Sequence, residues 1–495
     1  MERSKIIIFG FWLLVGLFCG KAIFAEEATK EELEIVDISI DEVMKLALEN
    51  SLDIQIVKFD AYIGRKSLPR AESIFDPLLK GEVNFLDSHR DQASSFLGTK
   101  QIESNYEFML EKKFRSGTML QLDTQSGRVN SDSFFAETNS YNESSIGLSL
   151  VQPLGKNFFG LADREGIEIS KIDVENSEYA SLDGIENALY LTQMAYWNLV
   201  LRCEELRIKK DMLREVKKLY DIYQDKYELN LVEKSDLLAI EANVRIREND
   251  ILLADLEREK ANKELIFLLN QEDVSICFSP TDRLEIESVD VDLYQSLREA
   301  IANRRDYLRT KNLIRMNDLA LEIKDNSLWP EIDLRASLAR NGLDTGFANS
   351  WKEIFQESHT EFFVGLSVTR PLGNRYARAE LEETELRKEQ LLLLLKRLER
   401  FILKEVHNGV KEVNTLKNQV QKSYEVVKLQ KDKLDEEKKR LKYARASSDI
   451  LVRYEEDLLN AQISFALALF NYRQSLVNLD LTKNTLLGAY WKGPL

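Results

Sequence analysis

The 495-residue chain holds only 7 prolines and 20 glycines. That is too little punctuation for a string of domains joined by flexible linkers. Cysteine is nearly absent. Of the three present, only Cys203 and Cys277 lie beyond the first 25 residues, and two thiols make no disulfide framework; buried apolar roles fit them best, with a pairing between them left open. The three histidines, His89, His359 and His407, are scattered. With no metal-ligand spacing, phosphate-binding loop or nucleophile motif in the chain, an enzyme is not expected, nor a metal or cofactor site. Positive charge is in deficit, 68 Lys and Arg against 84 Asp and Glu, which argues against nucleic acid and anionic lipid as partners.

Long apolar runs are missing apart from one at the N-terminus. Arg3 and Lys5 precede a run from Ile6 to Cys19, and Ala22-Ile-Phe-Ala25 stands before Glu26-Glu27. This order predicts a secretory signal over residues 1–25. The run falls short of the ~18 residues of a membrane anchor, and Phe18 is too bulky for a lipid-anchor cleavage site at Cys19. Losing Glu2, Arg3, Lys5 and Lys21 with the signal would take the net charge from −16 to −18.

What the chain has in abundance is repetition. Ile146-Gly-Leu-Ser-Leu-Val-Gln-Pro-Leu-Gly155 nearly recurs as Val364-Gly-Leu-Ser-Val-Thr-Arg-Pro-Leu-Gly373. Leu48-Glu-Asn50-Ser-Leu-Asp53 is echoed by Ile301-Ala-Asn303-Arg-Arg-Asp306, and Pro77 by Pro330, at an offset of 253. The protein is an internal duplication, with copies over 26–290 and 291–488. Each opens with a capping pattern, Ser39-Ile-Asp-Glu42 and Asp292-Leu-Tyr-Gln295, which predicts helices over 39–73 and 292–328 that stop before the prolines.

After each proline the period switches to two. Ile332, Leu334, Ala336 and Leu338 alternate with Asp333, Arg335 and Ser337, and the returning segments around Leu148 and Leu366 behave likewise. Two-faced strands are predicted over about 78–152 and 331–370. A soluble sandwich would show the same alternation, but no other strand-rich region exists to cover such strands. Hairpins from several subunits joined into a closed barrel, apolar face to lipid, resolve this. The first copy carries 35 more residues between its prolines. Asn105–Glu111 and Met119–Thr124 alternate about a turn at Phe114–Thr118, which reads as an extra hairpin, either widening the barrel or lying outside it.

Long helical patterns follow the strands over 161–270 and 377–487, each with one break. Leu199, Leu206, Leu213, Tyr220 and Tyr227 fall seven apart, as do Val406, Val413, Val420, Val427, Leu434 and Leu441, so the helices are expected to coil around one another. At the breaks the chain reads Tyr227-Glu-Leu-Asn230 before Ser235-Asp236-Leu-Leu, and Tyr443-Ala-Arg-Ala446 before Ser448-Asp449-Ile-Leu. Asn230 can take the left-handed turn, and Ser-Asp is expected to cap each returning helix. The fold class is therefore mostly α with membrane β.

The residues in this order resemble the TolC-like outer-membrane efflux proteins, the outer membrane factor family. The likeness runs from Ser39 to Gly488. Its carriers are Ala47-Leu-Glu-Asn50 and Ala300-Ile-Ala-Asn303, the two strand-Pro-Leu-Gly elements, Ala195-Tyr-Trp197-Asn-Leu, the Asn230 to Asp236 tip, and Leu265-Ile-Phe-Leu-Leu269. The resemblance implies a homotrimer with a β-barrel in the outer membrane and a coiled helical tunnel in the periplasm. Such a duct serves an efflux pump or a type I secretion system, through a periplasmic adaptor and an inner-membrane transporter. It also implies that Asp449 rings the tunnel entrance, that Asp236, Ser235 and Tyr443 make closing contacts, and that Asn230 and Ala446 form the tip turns. This chain departs from the family where a second acid usually follows, since Val452 and Arg453 stand there. The alternative reading, a periplasmic coiled-coil adaptor or structural protein, gives no reason for alternating strands at duplicated positions.

Overall fold

The computed structural model describes residues 35–90, 100–131, 138–273, 275–286, 289–357, 359–442 and 448–491. The signal segment, Tyr443 and Ala446 lie outside the described residues. In the first copy the order is β1 (Ile35–Ile38), α1 (Ile40–Asn50), α2 (Leu52–Gly64), α3 (Ser67–Glu72), β2 (Leu78–Ser88), β3 (Gln101–Lys113), β4 (Met119–Ser131), β5 (Ser140–Pro153), α4 (Leu161–Glu228), α5 (Lys234–Leu268) and β6 (Cys277–Pro280). The second copy reads α6 (Leu293–Asn303), α7 (Arg305–Asn326), β7 (Glu331–Asp344), α8 (Phe347–Gln356), β8 (Thr360–Thr369), α9 (Arg375–Lys442), α10 (Ser448–Lys483) and α11 (Leu486–Tyr490).

Each copy starts where its cap pattern places it. The Ser39 hydroxyl accepts from the Glu42 N–H while Glu42 reaches back to the Ser39 N–H, a complete capping box; the Asp292 carboxylate accepts from the Gln295 N–H. The helices expected as single runs over 39–73 and 292–328 are instead broken, at Ser51 and Arg304, again 253 apart. Both residues are extended, and Asp53 and Asp306 follow in the first turn of the next helix, where a carboxylate suits the helix dipole. The second break is pinned by ions: the Arg304 guanidinium reaches Asp306 at 2.6 Å and Glu405 at 2.7 Å. Neither break carries a Pro or Gly, so the local pattern is silent there.

The long helices α4 and α9 hold 68 residues each, roughly 100 Å of helix. Val406, Val413 and Val420 are fully buried, as is Leu199, so these members of the seven-residue rows face inward. α4 packs on α5, α7 and α10, and α9 on α7 and α10. A buried ion pair joins the two copies. Glu186 of α4, fully buried, accepts from Arg305 of α7, from Asn484 at 2.8 Å and from the Leu487 N–H at 3.1 Å. Cys203 and Cys277 are unpaired half-buried thiols; burial pushes the Cys203 thiol up to about 11, and Cys277 takes a 2.9 Å hydrogen bond from Arg258.

β1 and β6 form a small parallel pair, which the sequence pattern did not announce. The other six strands make one antiparallel sheet in the order β2-β3-β4-β5-β7-β8. Here the hairpin left open by the sequence finds its place: β3 and β4 sit between β2 and β5, inside the sheet. In the single chain this sheet is open, with β2 and β8 at its edges; the closed barrel and the trimer are not features of one chain.

Candidate functional site

Register places the apolar side chains on one face. Leu79 pairs with Leu110, Leu110 with Leu122, Leu122 with Leu148, Leu148 with Leu338 and Leu338 with Phe362. This row crosses all six strands, and its members are between 41% and 73% exposed. One step along, on the opposite face, stand Lys80, Met109, Asp123, Gly147, Ala339 and Glu361. Val83, Leu148, Leu334 and Leu366 share the apolar face, and Lys80, Asp333 and Ser367 the other, because side chains alternate strictly along a strand.

At the far end of the helices the first tip turns at Asn230, which has φ 55°. The Asn230 N–H donates to the Tyr227 carbonyl at 2.9 Å and the Leu231 N–H to the Lys226 carbonyl at 2.8 Å, the double closure that ends a helix on a left-handed residue. The returning helix α5 does not begin on Ser235. Its N-cap is Glu233, with no side-chain cap bond, so Ser235 lies within the first turn and its hydroxyl donates to Glu233 at 3.3 Å. Freed from capping, the Asp236 carboxylate turns across the molecule and accepts from the Ser448 hydroxyl at 2.5 Å. Asp449 stands beside Ser448 in the first turn of α10, exposed to solvent. The structure thus brings Asp236 to the second tip, and its partner there is Ser448, a residue expected only as a cap.

Two turns further along α10 lies a constellation that sequence reasoning missed. Glu455 is fully buried, and neither carboxylate oxygen has a hydrogen-bond partner among the described residues. Burial pushes its carboxyl up to about 7; Lys438 of α9 and Arg247 of α5 pull the other way, and Glu215 of α4 adds to the rise. Both cations are engaged elsewhere, Lys438 with Glu215 at 3.2 Å and Arg247 with Asp250 at 3.1 Å. The Arg247 Nε and the Asn243 Nδ2 are buried and unpartnered as well. Four helices therefore meet on a polar knot that is incompletely satisfied, an arrangement that costs free energy in the packed state. A signal was present: Leu451, Glu455 and Leu459 are spaced four apart, an acid set into a buried apolar stripe.

Comparison with solved structures identifies the architecture. The outer membrane channel CmeC of Campylobacter jejuni superposes with a TM-score of 0.66 at 15% identity, over 90% of this chain and 85% of that one. The outer membrane protein VceC of Vibrio cholerae gives 0.64 at 15% identity, over 91% and 96%. The open state of the MtrE outer membrane channel of Neisseria gonorrhoeae gives 0.63 at 14%, over 94% and 95%. The chain has the fold of these outer-membrane channels over about nine-tenths of its length. No protein-family model matches the sequence, and no curated protein matches it significantly.

Proposed function

We propose that the protein is the outer-membrane exit duct of a tripartite efflux pump or type I secretion system, a passive channel built from three copies of this chain. The observation that carries the reading is the exposed leucine-rich row across six strands. A contiguous apolar face of that width is stable against hydrocarbon and a liability in water. The likeness to outer-membrane channels supports the same placement.

An open sheet edge is not tolerated in lipid. β2 and β8 run in opposite directions at the two edges, so β8 of one copy can pair antiparallel with β2 of the next. Three copies of a six-stranded sheet then close an eighteen-stranded barrel, a size that leaves an aqueous lumen. Exposed Leu252 and Leu253 of α5 and Leu386 and Leu393 of α9 supply apolar surface for the neighbouring copies of a helical tunnel in the periplasm. In this reading Asp449 lines the tunnel entrance, with Asp236, Ser235 and Tyr443 among the closing contacts and Asn230 and Ala446 at the turns. A periplasmic adaptor joins the duct to an inner-membrane transporter, and those partners select the cargo, whether drugs, metals or proteins.

Membrane fractionation tests the reading. The protein should sediment with outer membrane, migrate heat-modifiably, and crosslink to trimers through cysteines placed along β2 and β8. Monomers alone, or sedimentation with inner membrane, would exclude it.

A further inference from the structure

The connection between β7 and β8 contains α8, and this helix folds back onto the apolar face of the sheet. Ser350 and Ile354, one turn apart, are buried, and α8 packs against β5 and β7. Gly342 makes the approach possible: a Cβ there would stand 2.1 Å from the Ser350 carbonyl oxygen. A chain of hydroxyls fixes the contact, with Ser126 and Ser144 at 2.8 Å and Ser144 and Ser350 at 2.9 Å. Asn142 and Glu353 tie down the loop before it, the amide to the Thr345 carbonyl at 2.8 Å and the carboxylate to the Leu343 N–H at 2.9 Å.

The height of this contact follows from the strands. Ser144 is nine residues from Pro153, where β5 ends toward the helices. At ~3.3 Å per residue and a tilt of ~40° that is ~23 Å, against an apolar band of ~25 Å in outer-membrane barrels. α8 therefore sits at the outer rim of the band, the level where aromatic side chains gather at a membrane boundary. Phe347 and Phe355 are more than half exposed. Between α8 and the sheet runs a groove of about 580 Å³ lined by Tyr106, Phe108, Thr124, Ser126, Phe347 and Trp351. It opens on the same face as the leucine row, so the hydrocarbon covering that row is continuous with it.

We propose that this groove seats an acyl chain of a membrane lipid, with α8 as an interfacial helix on the outside of the barrel. The proposal rests on the outer-membrane reading. The packing of Ser350 on Gly342 holds the helix off β3 and β4 at one end, and the aromatic rings close the sides of the space left between them.

Trp351 is a built-in probe. The full-length assembly is reconstituted with phosphatidylcholine brominated on its acyl chains, and the Trp351 contribution is taken as the difference between the wild type and Trp351→Phe. Loss of most of that emission is expected, stronger for bromines near the headgroup than for those near the chain end. A control, Leu366→Trp in the Trp351→Phe background, reports the middle of the band. Quenching at position 366 with none at Trp351 would overturn the proposal and leave the outer-membrane reading standing; quenching at neither would remove both. Seating is separated from mere contact by native mass spectrometry of the detergent-extracted assembly. Lipid retained by the wild type should be lost from Thr124→Trp, which fills the groove, and equal retention would refute the seat.

Discussion

The Ser448 hydroxyl hydrogen-bonds the Asp236 carboxylate at 2.5 Å, joining the start of one returning helix to the start of the other, 212 residues apart in the chain. Ser448 is buried and Asp236 half-buried. A hydrogen bond to a charged group is worth about 1.5 kcal/mol at the low end, which suits this partly solvated carboxylate. If opening breaks it, Ser448→Ala should shift the closed-to-open ratio about tenfold toward open for each copy whose bond is lost. Single-channel recording in planar bilayers reads this as larger or longer openings, and an unaltered record from an assembled variant would exclude the bond from closure.

Glu455 makes the packing of the tip region sensitive to pH. Burial raises its carboxyl from the ordinary 4.5 to about 7. Because the value in the packed state is the higher one, the contribution is fully present below pH 4.5 and is lost as pH rises through about 7. Closure of the two helical hairpins should therefore weaken as pH rises from about 4.5 to about 7 and level off above that, by about 3 kcal/mol at most. Glu455→Gln keeps the volume and removes the titration. Conductance and thermal unfolding followed against pH should be flat in that variant and sloped in the wild type.

Three Asp449 carboxylates at a narrow tunnel end would concentrate negative potential and favour cations. Asp449→Asn removes the charge while keeping a side chain able to cap α10. Reversal-potential measurements in salt gradients should show weaker cation selectivity, and block by multivalent cations should diminish. Unchanged selectivity in a fully assembled trimer would leave Asp449 a helix-end residue only.

The sheet register ranks substitutions. Arg at Val83, Leu148, Leu334 or Leu366, on the apolar face, should cost ~2 to 4 kcal/mol near the bilayer midplane. Arg at Lys80, Asp333 or Ser367, on the opposite face, should be tolerated. Assembly yields in the reverse order would mean the opposite face meets lipid.

Arg305→Ala leaves the fully buried Glu186 without its cation, although Asn484 and the Leu487 N–H still reach it. Removing one partner of a buried pair costs about 3 to 5 kcal/mol, and the two copies should dock less firmly. Denaturant melts of the assembled protein measure the loss, and Glu186→Gln in the same background should restore part of it.

Whatever depends on neighbours a few residues apart is legible in the chain itself. The duplication, the two faces of Ile332 to Leu338, the Ser39 to Glu42 box, the left-handed turn at Asn230 and the two 68-residue helices follow from periods of two, three and a half, or single-turn capping. Those are local sterics and hydrogen bonds, and they act before any tertiary contact forms. Even which side chains share the apolar face of each strand could be read, since alternation assigns side without knowing what lies beyond it.

The rest required the chain to meet itself. Whether β3 and β4 joined the sheet depended on pairing Val83 with Tyr106 and Ser126 with Ser144. The break at Arg304 answers to Glu405, about a hundred residues on, and both breaks to the docking of α2 and α7 on the long helices rather than to any breaker residue. Asp236 looked like a cap until Glu233 took that place and Ser448 arrived from the other copy. Glu455 became a buried acid only because α4, α5, α9 and α10 converge on it. Each of these is a contact between residues tens to hundreds apart, whose free energy depends on burial and on which partner is near, and no local period encodes either.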